Sequence, residues 1–168
     1  MRTRSGDRKE ADTSSGVRVQ TCAQGRGLFA ARPLPRGVVV ARTSAAAHWI
    51  TLPHPLLKRE AAFQRIEDAL DARGLPRDLC IAITSGSGRV GRLAVAELDA
   101  KPAQLCKGAL LWYAMNHASK PAATVQLRVT QDAEKRPVIE WRTCRDVAAG
   151  QQLTFTYGQP DPTWGDAA

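Results

Sequence analysis

The alternation of apolar and polar residues first indicates structure near residue 17. Residues 17–21 alternate in the manner of a half-buried strand, and residues 38–41 form a short, largely β-branched run. Turn-forming residues stand before the second run, at Pro33, Pro35 and Gly37. The pattern predicts an opening hairpin-like unit.

Helical spacing appears further along the chain. Residues 56–70 place apolar side chains on one face with charged residues between them, and the helix breakers Gly74 and Pro76 follow. An amphipathic helix is therefore predicted there. Residues 78–83 fit either a strand or a further helical turn, and residues 105–115 are apolar with helical spacing.

The second half of the chain returns to strand patterns. Residues 124–130 and 138–144 alternate around a turn at residues 132–137. Short strands with Gly and Pro turns, together with few helices, predict a mainly β fold with segregated helices, of the α+β class.

Length and composition limit the possible organisation. A chain of 168 residues fits one domain. No apolar run approaches the roughly 20 residues that span a bilayer, and the N-terminus has no apolar signal-peptide stretch, so we expect a soluble, intracellular protein without membrane contact. Residues 1–16 are rich in arginine and serine but also contain Asp7, Glu10 and Asp12, which argues against a transit peptide. We expect a disordered tail.

Cysteine spacing and charge refine this expectation. The four cysteines are widely spaced without a Cys-x-x-Cys pair, so we expect neither a metal site nor a disulfide framework. The net charge of +8 and pI near 9.9 are compatible with a nucleic-acid partner. The arginines are scattered without a long basic run, however, and compositional bias explains them more simply. Contact with nucleic acid stays an open alternative.

Three segments occur in an order that carries more information than any one of them. Residues 25–30 read GRGLFA, residues 114–121 read AMNHASKP, and residues 150–158 read GQQLTFTYG, shortly after a CRDV step at 144–147. In this order they resemble the signatures of SET-domain protein-lysine methyltransferases. The cysteine-rich zinc modules that flank the domain in many histone-directed members have no counterpart here.

The resemblance covers about residues 17–158, and within it residues 48–105 match only by position, as a variable insert. It implies the β-clip fold, in which the C-terminal segment threads under a loop of the preceding chain. Residues 159–168 are then a short tail.

The resemblance also implies S-adenosylmethionine as cofactor and a protein lysine as acceptor. Tyr157 matches the catalytic tyrosine, and Phe155 matches the position that controls how many methyl groups are added, which implies di- or trimethylation. Trp164 either closes the channel or stacks on the adenine, as aromatic residues after the domain do in relatives, or it belongs to a frayed tail. The cofactor-binding positions of the family are matched by Gly25, Arg26, Gly27, Leu28, Asn116, His117 and Tyr157.

Departures from the family pattern leave other functions open. Ala122 replaces an asparagine, Gln151 and Gln152 replace a glutamate pair, and Thr156 replaces an acidic residue. These changes and the basic net charge support a second hypothesis, in which the protein is a catalytically degenerate domain that binds protein or nucleic acid. A non-enzymatic β-clip protein is a third reading, but the joint presence of the Asn-His pair and Tyr157 argues against it.

The acceptor sets the expected location, which is the nucleus for a histone and the cytoplasm otherwise. The sequence gives no indication of the acceptor's identity or of the oligomeric state.

Overall fold

The computed structural model describes residues 16–43, 47–53, 59–84, 90–95 and 98–157, and within these the chain forms three β-sheets. The strands are β1 (Val17–Cys22), β2 (Gly25–Ala30), β3 (Val39–Arg42), β4 (His48–Pro53), β5 (Cys80–Thr84), β6 (Val90–Val95), β7 (Asn116–His117), β8 (Val125–Gln131), β9 (Pro137–Thr143) and β10 (Gln152–Phe155). The strand orders are β1-β2-β10-β7, β3-β9-β8 and β4-β6-β5. The predicted mainly β fold with helices is confirmed.

Helices occupy a small part of the described chain. The amphipathic helix predicted at 56–70 is present as α1 (Arg59–Asp71), with residues 56–58 outside the described ranges, and Gly74 follows it with a φ of 66°. The stretch with helical spacing at 105–115 forms a 3₁₀ helix at Gly108–Ala114, and the positive φ of Cys106 prevents a right-handed helix from starting earlier. None of the described helices is long and apolar enough to cross a bilayer.

The opening unit differs from the prediction in its pairing. β1 pairs with β2 through the turn at residues 23–24, whereas β3 pairs with β9 in another sheet. The glycine-containing segment at 25–28 lies in strand β2. The open choice at residues 78–83 is also settled, since β5 begins at Cys80.

The C-terminal strand β10 lies inside its sheet, between β2 and β7. It runs antiparallel to β2, with Leu153 opposite Leu28, and parallel to β7, with Thr154 opposite Asn116. The chain after β7 closes over it through backbone hydrogen bonds from Ala118 to Phe155 and from Thr124 to Thr154. β10 is thus held on both sides by segments far away in sequence, as the threaded arrangement requires.

A buried carboxylate lies in the neighbouring sheet. Glu140 on β9 is 1% exposed and is hydrogen-bonded by the guanidinium groups of Arg42 and Arg142. Burial acts to raise the pKa of Glu140, but the hydrogen bonds and positive charges of the two arginines outweigh it and lower the pKa. The carboxylate is charged and fully paired, so it joins β3 to β9 without leaving an unsatisfied charge in the core.

Thr124 provides a test of the closure over β10. Its hydroxyl accepts a hydrogen bond from the Thr154 backbone N–H at 3.0 Å and donates one to the Gln152 carbonyl at 3.3 Å, and the residue is 2% exposed. Thr124→Val keeps the shape but leaves both backbone groups without that partner. We expect the free energy of unfolding to fall by about 1–3 kcal/mol in urea titrations.

Thr124→Ser is the matched control, because it retains the hydroxyl, and it should lose less stability than the valine variant. Equal stability of the valine variant and the wild type would show that the hydroxyl does not hold β10.

Candidate active site

The parallel pairing of β7 with β10 assembles the site, since it places Asn116 and His117 alongside Phe155 and Tyr157. The two pairs come from segments about 40 residues apart and meet through the register Phe155 opposite His117. Met115, immediately before β7, has extended backbone dihedrals that end the 3₁₀ helix and turn the chain into the strand. The sequence-predicted Asn-His and Tyr segments are therefore in contact.

Tyr157 is held at both ends although 54% of its surface is exposed. Its hydroxyl donates a hydrogen bond to the Met115 carbonyl at 2.8 Å, and its backbone N–H donates one to His117 Nδ1 at 3.1 Å. The His117 ring meets the Tyr157 ring in a T-shaped contact with centroids 5.1 Å apart. His117 Nδ1 is an acceptor, so the neutral ring carries its proton on Nε2. His117 thus orients the tyrosine.

Phe155 forms the apolar wall behind Tyr157. It is 7% exposed, and its ring centroid lies 4.7 Å from that of Tyr157 and 6.2 Å from that of Trp141. Trp141 in turn stacks on Trp112 with centroids 5.4 Å apart. One face of the site is consequently aromatic and continuous with the core.

Asn116 joins the site to the opening hairpin. Its side-chain amide donates to the Arg26 carbonyl at 3.0 Å and lies 3.6 Å from the Cys22 sulfur. One role of this side chain is therefore to hold β7 near β2. The cysteine contact had no signal in the sequence, since Cys22 lies outside all three motifs.

The four residues at 25–28 have different environments. Gly25 has a φ of 98°, which a side chain disfavours, and a Cβ built there meets no atom within 4 Å. A Cβ on Gly27 would lie 2.8 Å from both Gln152 Nε2 and Phe29 Cε2, so the protein itself fills that space. Leu28 is fully buried in the core. Arg26 is exposed, and its guanidinium lies 3.8 Å from the Cys106 sulfur. Of the four, Gly25 and Arg26 face outward.

Two further residues near Tyr157 were not found from the sequence. Tyr113 donates a hydrogen bond to the Asp78 carboxylate at 2.6 Å, across 35 positions of the chain. Tyr113 belongs to the apolar run before Asn116, and Asp78 belongs to the insert that matched no motif. Neither position carries a local pattern that predicts their contact.

Both tyrosines are kept neutral by their surroundings. Burial raises the pKa of Tyr157 above its ordinary value of 10.0, and the negative charge of Asp78 raises it further. Burial also raises the pKa of Tyr113, and the hydrogen bond to Asp78 adds to the effect because it stabilises the neutral phenol. Each hydroxyl is therefore a hydrogen-bond donor over the whole physiological range.

Trp164 and Gly158 lie outside the described residues. Within the described ranges, no group of three or more His, Cys, Asp or Glu residues is arranged to hold a metal ion. All four cysteines are free thiols.

The raised pKa values give a direct spectroscopic prediction, because Tyr113 and Tyr157 are the chain's two tyrosines. Ultraviolet tyrosinate absorption should appear at higher pH in the folded protein than in urea, where both phenols ionise near the ordinary value of about 10. The fold binds these protons more tightly than the unfolded chain, so the free energy of unfolding should fall as pH rises above about 10.

Tyr113→Phe isolates Tyr157 in the same titration. Ionisation of that remaining phenol at its ordinary pH in the folded protein would contradict the environment described for it.

Comparison with known proteins places this geometry in a family. The model of the SET domain matches residues 25–158. Among solved structures, the crystal structure of CpSET8 from Cryptosporidium matches with a TM-score of 0.56 and 20% sequence identity, over 88% of this chain and 60% of that chain. At this identity the likeness concerns the fold alone, and the chain spans about 60% of that relative's length. No curated protein sequence matches the chain.

Family proteins are generally protein-lysine methyltransferases that use S-adenosylmethionine. The residues that carried the resemblance lie within the matched range, and the strands that contain them form one sheet. The chain belongs to the SET-domain family.

Proposed function

We propose that this protein is an S-adenosylmethionine-dependent methyltransferase that modifies the side-chain amine of a protein lysine. One observation carries the proposal. The Tyr157 hydroxyl and the Met115 carbonyl oxygen lie 2.8 Å apart, next to the aromatic wall of Phe155 and beside Asn116. Two oxygens at the edge of an apolar surface are suited to orienting a methyl group and an amine.

The residues present fit this cofactor by their chemistry. When bound, it supplies a methyl group on a cationic sulfur. The hydrogens of such a methyl are polarised, and oxygen atoms such as those of Tyr157 and Met115 interact with them through weak C–H···O contacts. The exposed guanidinium of Arg26 suits a carboxylate, which the cofactor also carries. Arg26 contacts Asn116, and Tyr157 contacts Met115, the residue before Asn116. Arg26 and Tyr157 are therefore both held by the same short segment.

The acceptor amine must be neutral to react, and the site favours that form. Burial disfavours an ammonium, so a lysine that enters beside Phe155 and Tyr157 has a lowered pKa. The Tyr157 hydroxyl is fixed by Met115 and has lone pairs to accept a hydrogen bond from the amine. Holding the reactants in line accounts for much of the rate enhancement in such a transfer.

The departures from the family pattern do not remove a reacting group. Gln151 accepts a hydrogen bond from the Ala148 N–H at 3.0 Å, and Gln152 lies 3.8 Å from the Cys22 sulfur. Thr156 donates to the Ala118 carbonyl at 2.8 Å. These three side chains support turns and the closure over β10, and the amides and hydroxyl perform that role without a charge.

The acceptor protein is proposed as a histone or another protein with an accessible lysine, which places the enzyme in the nucleus or the cytoplasm respectively. The net charge of +8 permits contact with nucleic acid near such an acceptor. Incubation with labelled cofactor, core histones and a cell lysate, followed by mass spectrometry, identifies the modified lysine.

Tyr157→Phe tests the catalytic assignment. The substitution removes one hydroxyl and keeps the ring that contacts Phe155 and His117. Methyl transfer should fall by about a hundredfold or more, the scale of losing a preorganised polar group at a reacting centre.

Calorimetric binding of S-adenosylhomocysteine and the urea midpoint serve as controls and should change little in this variant. Wild-type binding of S-adenosylhomocysteine without any methyl transfer would favour the degenerate binding module instead. Full activity of Tyr157→Phe would remove Tyr157 from the reaction.

Phe155→Tyr tests the number of methyl groups transferred. Phe155 has no hydroxyl and therefore cannot hold a water molecule in the site. The space stays open for a methylated amine to rotate and present its lone pair for the next transfer. The wild type should therefore proceed beyond monomethyl-lysine, and the tyrosine variant should shift the product toward mono- or dimethyl-lysine. Mass spectrometry of the peptide that contains the modified lysine measures the ratio.

A monomethylated form of that peptide is the matched control substrate, because it tests the later transfers separately. A wild type that stops at one methyl group would show that Phe155 serves only the core.

A further inference from the structure

Asp78 is a charged residue near the candidate site that the family motifs do not include. It lies on the turn that leads from α1 to β5, and its side chain is exposed. Tyr113 holds it through the 2.6 Å hydrogen bond from phenol to carboxylate. Tyr113 is anchored in turn, because its ring makes a T-shaped contact with the buried Trp112, with centroids 5.8 Å apart. The carboxylate is thus fixed in place by a side chain from the segment that precedes Asn116.

The charge of Asp78 reaches the Tyr157 hydroxyl. The negative charge of Asp78 raises the pKa values of both Tyr157 and Tyr113, so it acts on both phenols. Geometry links Asp78 to Tyr157 as well, because Tyr113, which holds Asp78, stands two residues before Met115, whose carbonyl accepts the Tyr157 hydroxyl.

Neighbouring cations do not neutralise this carboxylate. The adjacent Arg77 directs its guanidinium to Asp71 and Glu67 on α1. In the part of the chain that the structure describes, Asp78 makes no ion pair of its own. Its only hydrogen bond there comes from a neutral phenol, which leaves the negative charge free to act on a ligand.

We propose that Asp78, positioned by Tyr113, is a specificity-determining residue that attracts the ammonium group of the acceptor lysine to the entrance of the site. This inference rests on the proposed methyltransferase function. A chain with a net charge of +8 repels a cationic acceptor, and a carboxylate held by Tyr113 in the segment that also anchors Tyr157 supplies an attractive charge of the opposite sign.

Asp78 is expected to act on capture and not on the chemical step. Its charge is exposed and screened by water and salt, so its attraction for a cation is modest. A nearby negative charge also favours the ammonium form, which does not react, so a residue in direct contact with the reacting amine would oppose the transfer. A carboxylate at the entrance does not oppose the transfer, because the lysine passes the carboxylate as an ammonium. Burial lowers the pKa of the lysine, and so favours the neutral amine, only deeper in the site.

The first experiment measures binding without turnover. Nα-acetyl-lysine methylamide is titrated into isotopically labelled protein, and the backbone amide signals of His117 and Tyr157 are followed by NMR. The lysine probe should shift these signals, and the probe acetylated on its side-chain nitrogen should shift them less. Asp78→Asn should weaken binding of the lysine probe by roughly twofold to fivefold, the range for an exposed ionic contact.

The second experiment measures turnover on the identified acceptor peptide. Asp78→Asn should raise KM by a similar factor with kcat almost unchanged, and the difference from the wild type should shrink as salt concentration rises. Tyr113→Phe keeps the charge but releases its anchor, so it should raise KM less than Asp78→Asn. Glu134→Gln, on the turn between β8 and β9, makes the same change in net charge and should leave KM unchanged.

The outcomes separate this inference from the function on which it rests. Equal probe affinity of the wild type and Asp78→Asn, or no binding of the lysine probe at all, overturns the role of Asp78 whether or not the protein is an enzyme. Charge-selective binding through Asp78 without methyl transfer supports the role and overturns the proposed activity. An equal rise of KM in Glu134→Gln would assign the effect to net charge and would also overturn it.

Discussion

The insertion of β10 between β2 and β7 is the constraint on which the other features depend. Its antiparallel side fixes the opening hairpin, and its parallel side fixes the register of Phe155 opposite His117. A shift of one residue would turn Phe155 away from Trp141 and move Tyr157 away from the Met115 carbonyl, since side chains alternate along a strand. The same pairing therefore completes the core and places the side chains of the candidate site.

Buried hydroxyls stabilise this irregular arrangement where strands are too short to pair all of their backbone groups. Thr124 does so at β10, Thr143 accepts a hydrogen bond from the Val38 N–H, and Thr43 accepts one from the Ile139 N–H. All three are at most 3% exposed. Threonine suits this role because its methyl group packs against apolar neighbours while its hydroxyl replaces a missing partner of the backbone.

Local patterns predicted β1, β3, β8 and β9, and the three motifs led to the family. The alternation at 124–130 and 138–144 corresponds to β8 and β9 within one or two residues. The pairing of β3 with β9 was not predictable, because residues 38–41 carry no signal for a partner a hundred positions away. The helix within residues 105–115 was predicted, but its 3₁₀ type and its start at Gly108 were not, because the positive φ of Cys106 is a conformation that cysteine disfavours and that no local pattern indicates.

The candidate site, like the fold, was predicted from the sequence only in part. Asn116, His117, Phe155 and Tyr157 stand in motifs and meet in the structure, whereas the Asp78–Tyr113 contact links an insert to a conformation that only the fold determines. The division of residues 25–28 into two exposed and two buried residues does not follow the alternation of a strand, so it also depends on how the rest of the fold covers Gly27 and Leu28.

The internal position of β10 also determines when the protein can first become functional during synthesis. β2 is synthesised early, but its partner β10 is synthesised more than a hundred residues later. The segment after β7 can form its hydrogen bonds to β10 only once β10 has been translated. Contacts so distant in sequence are slow to form, because the entropy of closing a long loop is lost before any pairing is gained. Folding and the acquisition of the site are consequently one late event, and a chain that ends before residue 152 lacks both.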